Sequence, residues 1–169
     1  MRKFLSKNKV TQAQKGKTPM DAALRYLSSR ARSVREVERY LDEQQYGEYE
    51  IQQVVDRLTE LGYLNDANYA DEFVRTRLNT KPISRGHLKT QLLAHELPAD
   101  IIDEALSKIT AEQEFENTLA VAQKHFAQLE SYPEKERNER LYRRLLGRGF
   151  SHDNIMRAIR CLNEGSNNA

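Results

Sequence analysis

Apolar residues recur three or four positions apart along most of the chain, the spacing of helices that each bury one face. Ala23, Leu24 and Leu27 make one such stripe. Val34, Val37 and Leu41, with Tyr40 beside them, make the next, and Ile51, Val54, Val55, Leu58 and Leu61 a third. Tyr69, Ala70, Phe73, Val74 and Leu78 follow, then Leu88, Leu92 and Leu93, then Ile101, Ile102, Ala105, Leu106 and Ile109. Three more stripes carry Phe115, Leu119, Ala122 and Phe126; Leu141, Leu145 and Leu146; and Ile155, Ala158, Ile159 and Leu162. Runs of Val and Ile with period-two alternation are missing, so no strand is expected. The pattern predicts an all-α protein of nine helices.

Polar punctuation sets the ends. Thr18-Pro19-Met20-Asp21 supplies an N-cap, a proline at N1 and a first-turn acid, for a helix running to about Arg30. Ser33 and Glu36 have capping-box spacing, and Glu48 starts the third helix. Gly62 suits the left-handed residue that closes that helix, with Tyr63 and Leu64 as apolar anchors across the turn. Asn65 or Asp66 caps the fourth helix and Ser84 the fifth. Pro98 is expected at N1 of the sixth helix, Ala111 to Leu129 form the seventh, and Pro133 opens the eighth. Gly147 to Phe150 read as a tight turn, after which Ser151 caps the ninth.

The nine helices are three copies of three. With Leu41, Leu92 and Leu145 taken as equivalent, Val37, Leu88 and Leu141 stand four residues before them, and Tyr46, Leu97 and Phe150 five after. Ile51, Ile102 and Ile155 come ten after, and two further apolar positions also agree, at offsets of 51 and 53 residues. A triplet of short helices looks too small to bury its apolar face alone, so the copies are expected to stack. The expected architecture is three tandem three-helix repeats, about 18–63, 64–109 and 110–163, in an elongated curved array. Residues 1–17 read as a basic flexible arm and 164–169 as a disordered polar tail.

Charge sharpens this picture. The net charge of +2 conceals six Lys or Arg and no acid in residues 1–18, so the rest of the chain is net acidic. Basic residues gather locally instead: Arg25, Arg30, Arg32, Arg35 and Arg39, then Arg75, Arg77, Arg85 and Lys89, then Arg143, Arg144 and Arg148. Between Phe73 and His95 there is no acid, which predicts an unneutralised positive surface there. Stacked in register, the second helices would line up a basic stripe suited to a charged filament or duplex. Tyr26, Tyr40, Tyr63, Tyr69 and Tyr142 could stack on single-stranded bases, although most lie on apolar stripes, where packing explains them.

Catalytic signatures are missing. The four histidines form no i, i+4 pair, and with the single Cys161 they give no metal-ligand set. No phosphate-binding loop or dinucleotide fingerprint occurs, so no cofactor is expected. Carboxylates recur on helix surfaces rather than in an apolar pocket, and Ser33, Ser84 and Ser151 are explained as caps. The helices that would enter a DNA groove, 48–61 and 151–163, are acidic or mixed, which argues against base readout. No apolar segment approaches the roughly 20 residues that span a bilayer, and one cysteine suits a reducing cytoplasm.

The run Leu61-Gly62-Tyr63-Leu64-Asn65-Asp66, with Tyr69-Ala70 and Phe73-Val74-Arg75-Thr76-Arg77 behind it, resembles the RecX family. Tyr26 to Ser33, with Glu36 and Leu41, and the Gly-Arg-Gly-Phe-Ser turn at 147–151 extend the resemblance over about residues 20–163. It departs in the fifth helix and the turn after it, where the family carries Glu-Leu and then Lys-Gly-Ile. Here Gln91-Leu92 and His95-Glu96-Leu97 stand. The resemblance implies a regulator of the RecA recombinase that lies on the RecA–single-stranded-DNA filament and inhibits ATP hydrolysis, strand exchange and co-protease action. It implies action in recombination, repair and the SOS response; the residues add the expectation of a cytoplasmic, non-enzymatic monomer, with the twelve cations named above as contacts to the filament or to single-stranded DNA. On the residues alone two alternatives stay open: a stand-alone helical nucleic-acid-binding module, and a purely protein-binding scaffold.

Overall fold

A computed structural model describes residues 18–166. Among them are nine helices and no strand: α1 (Pro19–Leu27), α2 (Val34–Glu43), α3 (Glu48–Glu60), α4 (Asp66–Thr80), α5 (Arg85–Ala94), α6 (Ala99–Ser107), α7 (Ala111–Ala127), α8 (Glu134–Leu146) and α9 (His152–Ser166). The basic arm expected at 1–17 lies outside the described residues. At the other end α9 continues through Ser166, past the point where a polar tail is expected to begin.

The caps explain most of these boundaries. Thr18 and Ser33 each form a reciprocal capping box, with Asp21 and Glu36. Asn65, not Asp66, caps α4, its Oδ1 accepting from the Asn68 N–H at 2.9 Å. Pro98 and Pro133 sit at N-cap rather than N1, so α6 and α8 begin one residue later than expected. Helix α1 stops at Leu27, short of Arg30, because Ser28 and Ser29 turn their hydroxyls back onto the Arg25 and Tyr26 carbonyls.

Each second helix ends in the same device. Tyr46, Leu97 and Phe150 donate their N–H to the carbonyls of Leu41, Leu92 and Leu145, and the residue before each donates to Asp42, Leu93 or Leu146. This is the Schellman pattern, and it needs a left-handed residue at Gln45 (φ 66°), Glu96 (φ 58°) and Gly149 (φ +81°). The apolar repeat positions therefore have a cause: the residue after the left-handed one folds back onto the helix it has just terminated. Gly62 closes α3 in the same way.

The buried side chains fall into three clusters, one per triplet. Leu41, Leu58 and Leu64 centre the first, Leu88, Leu92 and Ile102 the second, and Leu129, Leu141, Leu145 and Ile155 the third. The main helix–helix contacts all lie within triplets as well. The expectation that a triplet cannot close its own core is therefore corrected. Each buries several large aliphatic side chains, worth roughly 1.5–3 kcal/mol apiece. Neighbouring triplets meet instead through helix ends and turns. Leu24, Leu93 and Leu146, assigned to inward stripes from sequence, are 39%, 50% and 49% exposed. Leu93 and Leu146 each follow a buried leucine, and one residue of helix turns the side chain by about 100°, away from the triplet core.

The second and third triplets touch backbone to backbone. A Cβ on Gly86 would stand 2.6 Å from the Gly149 carbonyl oxygen, and one on Gly149 would meet the His87 nitrogen and Ser84 Oγ at 3.0 Å. Gly86→Ala is expected to destabilise the chain by roughly 1–3 kcal/mol in denaturant titration, since the obstacle is backbone that cannot step aside. Gly165→Ala, in open space on α9, is the control and should be neutral or slightly stabilising.

Candidate functional site

At the first junction the Ser33 hydroxyl has two partners. Its oxygen accepts from the Glu36 N–H at 3.1 Å, capping α2, and its proton goes to the His95 carbonyl of the second triplet at 2.6 Å. Ser84 repeats this at the second junction, accepting from the His87 N–H at 3.0 Å and donating to the Arg148 carbonyl at 2.5 Å. Ser33 and Ser84 are 51 residues apart, the repeat offset, as His95 and Arg148 are 53 apart. The capping reading of these serines is therefore half of their role.

Glu36 lies at the centre of the first junction, 5% exposed. One oxygen accepts from the Ser33 N–H at 3.0 Å; the other faces His95 Nδ1 at 3.4 Å, Arg30 at 3.5 Å and Arg32 at 3.8 Å. Beside it Asp66 Oδ1 accepts from the Val34 N–H at 2.9 Å, joining the N-termini of α4 and α2. Burial pushes the Asp66 carboxyl above its ordinary 3.8; the Val34 bond opposes this, and Glu38 and Glu36 reinforce it. Burial likewise raises the Tyr69 phenol, with Glu36 adding to the effect.

Against this knot lies a groove of about 500 Å³ between the first two triplets, lined by Arg32, Tyr63, Asn68, Tyr69, Phe73 and Arg77 among others. Arg77 lies over the Phe73 ring at 4.8 Å, and the His95 ring meets Tyr69 and Phe73 edge-on. Tyr63, expected as a turn anchor with Leu64, is 61% exposed, while Leu64 alone is buried. Positive groups and ring faces thus share one cleft.

The twelve cations expected as contacts divide into three groups. Arg32 and Arg77 line this groove, although Arg32 is 13% exposed and stacked on Tyr26 at 4.1 Å. Seven, Arg32 included, are paired: Arg30 and Arg32 with Glu36, Arg35 with Glu38, Arg39 with Glu96 and Glu43, Arg75 with Glu72, Arg85 with Glu114 and the Ile109 carbonyl, and Lys89 with Asp103. Arg25, Arg143, Arg144 and Arg148 have no carboxylate within 4.0 Å among the described residues. The unneutralised surface expected between Phe73 and His95 is accordingly corrected. Arg75, Arg85 and Lys89 find their acids just before or well beyond that stretch.

Three tandem helix triplets with separate cores, joined by capping serines, define a helical repeat protein with its grooves between and beside the repeats. The RecX first, second and third three-helix domains match residues 20–58, 65–106 and 112–159 in that order. The chain is 32% identical over 143 residues to the regulatory protein RecX of Clostridium botulinum, covering 83% of this chain and 66% of that one. It is 30% identical to RecX of Chlorobium phaeobacteroides, covering 85% and 92%. The crystal structure of RecX from Lactobacillus salivarius superposes with a TM-score of 0.81 at 30% identity, over 86% of this chain and 94% of that one. The chain belongs to the RecX family of regulatory proteins. It spans between about half and two thirds of the length of several curated relatives. Among the described residues no helix is long and apolar enough to cross a membrane.

Glu36→Gln removes the one charge shared by Arg30, Arg32 and His95, and should cost on the order of 3 kcal/mol in denaturant titration. Asp66→Asn should do the opposite. Because the folded chain holds the Asp66 proton more tightly than the unfolded chain, that group's contribution is full below its ordinary value and is lost as pH rises through the raised one. Asparagine keeps the acceptor for Val34 without the charge. The variant should therefore equal or exceed the parent at neutral pH, and the difference should close in acid; a growing difference in acid would refute the assignment.

Proposed function

We propose that this protein binds the RecA–single-stranded-DNA filament and inhibits its ATPase, strand exchange and co-protease activities, and so modulates recombination and DNA repair. It does so as a cytoplasmic, non-catalytic monomer. The observation that carries the reading is the groove at the first junction. Arg77 stands there with the exposed Tyr63 ring and the Asn68 side chain, beside a Glu72 that Arg75 neutralises, a combination that offers a single strand a phosphate partner and a stacking face. The cations without carboxylate partners, Arg25 on α1 and Arg143, Arg144 and Arg148 at the end of α8, extend that cationic character to the first and third triplets. Paired cations such as Arg35, Arg39, Arg75, Arg85 and Lys89 contribute by exchanging their present partners for those of the filament. The same groove favours a second reading, a stand-alone nucleic-acid-binding module, which differs in needing no recombinase.

Single-stranded-DNA-dependent ATP hydrolysis by RecA, titrated with this protein well below one per recombinase, separates the two. Hydrolysis should fall at low ratio; unchanged hydrolysis at equal concentration and low salt would remove the filament reading. Changing Arg143, Arg144 and Arg148 together to Glu should abolish most of the inhibition while leaving the far-ultraviolet circular dichroism unchanged. If those three meet phosphates of a single strand, the salt dependence of binding, as log K against log salt, should flatten by about 2 units.

A further inference from the structure

The outer face of the third triplet departs from the repeat at two positions, one at the edge of its core, where Tyr142 packs, and one outside it. By the offsets of 51 and 53, Glu38, Lys89 and Tyr142 are equivalent, as are Gln52, Asp103 and Met156. The first triplet places polar side chains in both slots. The second fills them with an ion pair, Lys89 Nζ to Asp103 Oδ1 at 2.7 Å. The third places Tyr142 and Met156 there, lining a groove of about 480 Å³ between α8 and α9 together with the buried Ile159. Met156 is 44% exposed, and Leu146, one turn beyond Tyr142 on α8, is 49% exposed. Tyr142 Oη is held by His152 Nδ1 at 3.0 Å, which fixes the ring beside the groove.

The surrounding charge is mainly positive, although Glu139 also lines the groove and its backbone carbonyl accepts from Arg143 Nε at 3.3 Å. Arg143 lines the groove; Arg144 follows it on α8, Arg148 borders a separate pocket at the second junction, and none of the three has a carboxylate within 4.0 Å among the described residues. Neighbouring arginines are already engaged: Arg140 with Glu136, and Arg157 over the Phe115 ring at 3.6 Å. A phosphate backbone would use the arginines and leave Met156 and Leu146 in water. An uncharged apolar segment would cover those two and leave the arginines idle. Methionine adapts its shape to an incoming side chain, and burial of such a residue is favourable in the way a wet ion pair is not.

We propose that the α8–α9 groove docks an acidic amphipathic segment of a partner protein. Apolar side chains of that segment enter between Tyr142 and Met156, and its carboxylates meet Arg143 at the groove and Arg144 beside it. The inference rests on the regulatory reading above and narrows the third triplet's share of the contact to protein rather than DNA.

The test uses the full chain and a fluorescent synthetic helical peptide with leucines on one face and glutamates elsewhere, in the absence of recombinase and DNA. Two variants change only the groove: Tyr142→Lys with Met156→Asp, which writes in the second triplet's ion pair, and Met156→Gln, which writes in the first triplet's residue. The peptide should bind the parent and lose about tenfold or more in affinity for the double variant, with a smaller loss for Met156→Gln. Circular dichroism of both variants should match the parent. A scrambled peptide of the same composition should bind at least about tenfold more weakly. Equal binding of the peptide to parent and double variant would overturn the proposal, and so would equal binding of the scrambled peptide, which would reduce the site to charge. Loss of thymidine-oligonucleotide affinity in the double variant would make nucleic acid the occupant. Self-association of the parent in sedimentation, abolished in the variant, would make it a second copy. Because this titration contains no recombinase, its outcome is independent of the ATP-hydrolysis result.

Discussion

The arrangement of the three triplets depends on a serine hydroxyl that does two jobs at once. A hydroxyl carries one proton and two lone pairs, so Ser33 and Ser84 each cap their own helix as acceptors while donating to a carbonyl of the next triplet. Aspartate at either position would cap equally well but, when ionised, would have no proton for the second bond. The receiving carbonyls, of His95 and Arg148, are exposed at the helix end because the left-handed residue that follows has turned the chain away. Capping, helix termination and repeat-to-repeat placement are thus one piece of local chemistry. The series also ends chemically. The third triplet has Arg137 in the serine slot, and α8 begins just over a turn earlier, from Pro133, so the equivalent hydroxyl is gone.

The two junctions solve the same geometry differently. Between the first two triplets, side chains fill the space: Arg39 reaches Glu96, and Glu36 gathers Arg30, Arg32 and His95. Between the second and third, the residues equivalent to Arg35 and Glu96 are Gly86 and Gly149, and backbone meets backbone. The first junction therefore responds to charge, and the second to volume at its two glycines as well as to charge at its Arg85–Glu114 pair. Neither shares an apolar core with its neighbours, so either can open without dissolving the cores on its two sides.

The fold was largely legible in the sequence, because apolar spacing and caps act over a few residues. The equivalence of Leu41, Leu92 and Leu145 could be read because all three carry leucine for the same reason. The left-handed slot one turn later could not, since Gln45, Glu96 and Gly149 share a conformation but no chemistry. Glu96 stands where the family resemblance leads one to expect glycine; its backbone still turns left-handed, and its carboxylate takes Arg39. The site was legible only in its cations. Which of them stay unpaired depends on acids that folding brings from elsewhere, such as Glu114 for Arg85 and Asp103 for Lys89, and no local charge count contains that. Of the two caps open for α4, Asn65 or Asp66, local sequence could not choose for the same reason: the partner of Asp66, the Val34 N–H, belongs to another triplet.

Repetition supplies its own control for reading the grooves. The α2–α3 groove of about 540 Å³ is bordered by Arg35, Glu38, Arg39 and Asp42 and ends on Glu96 of the next triplet. Its counterpart beside α8 and α9 keeps Arg143 where Arg39 stands, but changes Glu38 to Tyr142 and Asp42 to Leu146. The backbone is common to both, so helix formation does not account for the change, and core packing accounts only for Tyr142, which lies against the third core. What differs is the neighbour: the first groove adjoins another triplet of the same chain, and its charges pair within the protein. The third adjoins no further triplet among the described residues, and its side chains suit burial against something apolar. A chain built from one repeated unit thereby presents different chemistry at its two ends.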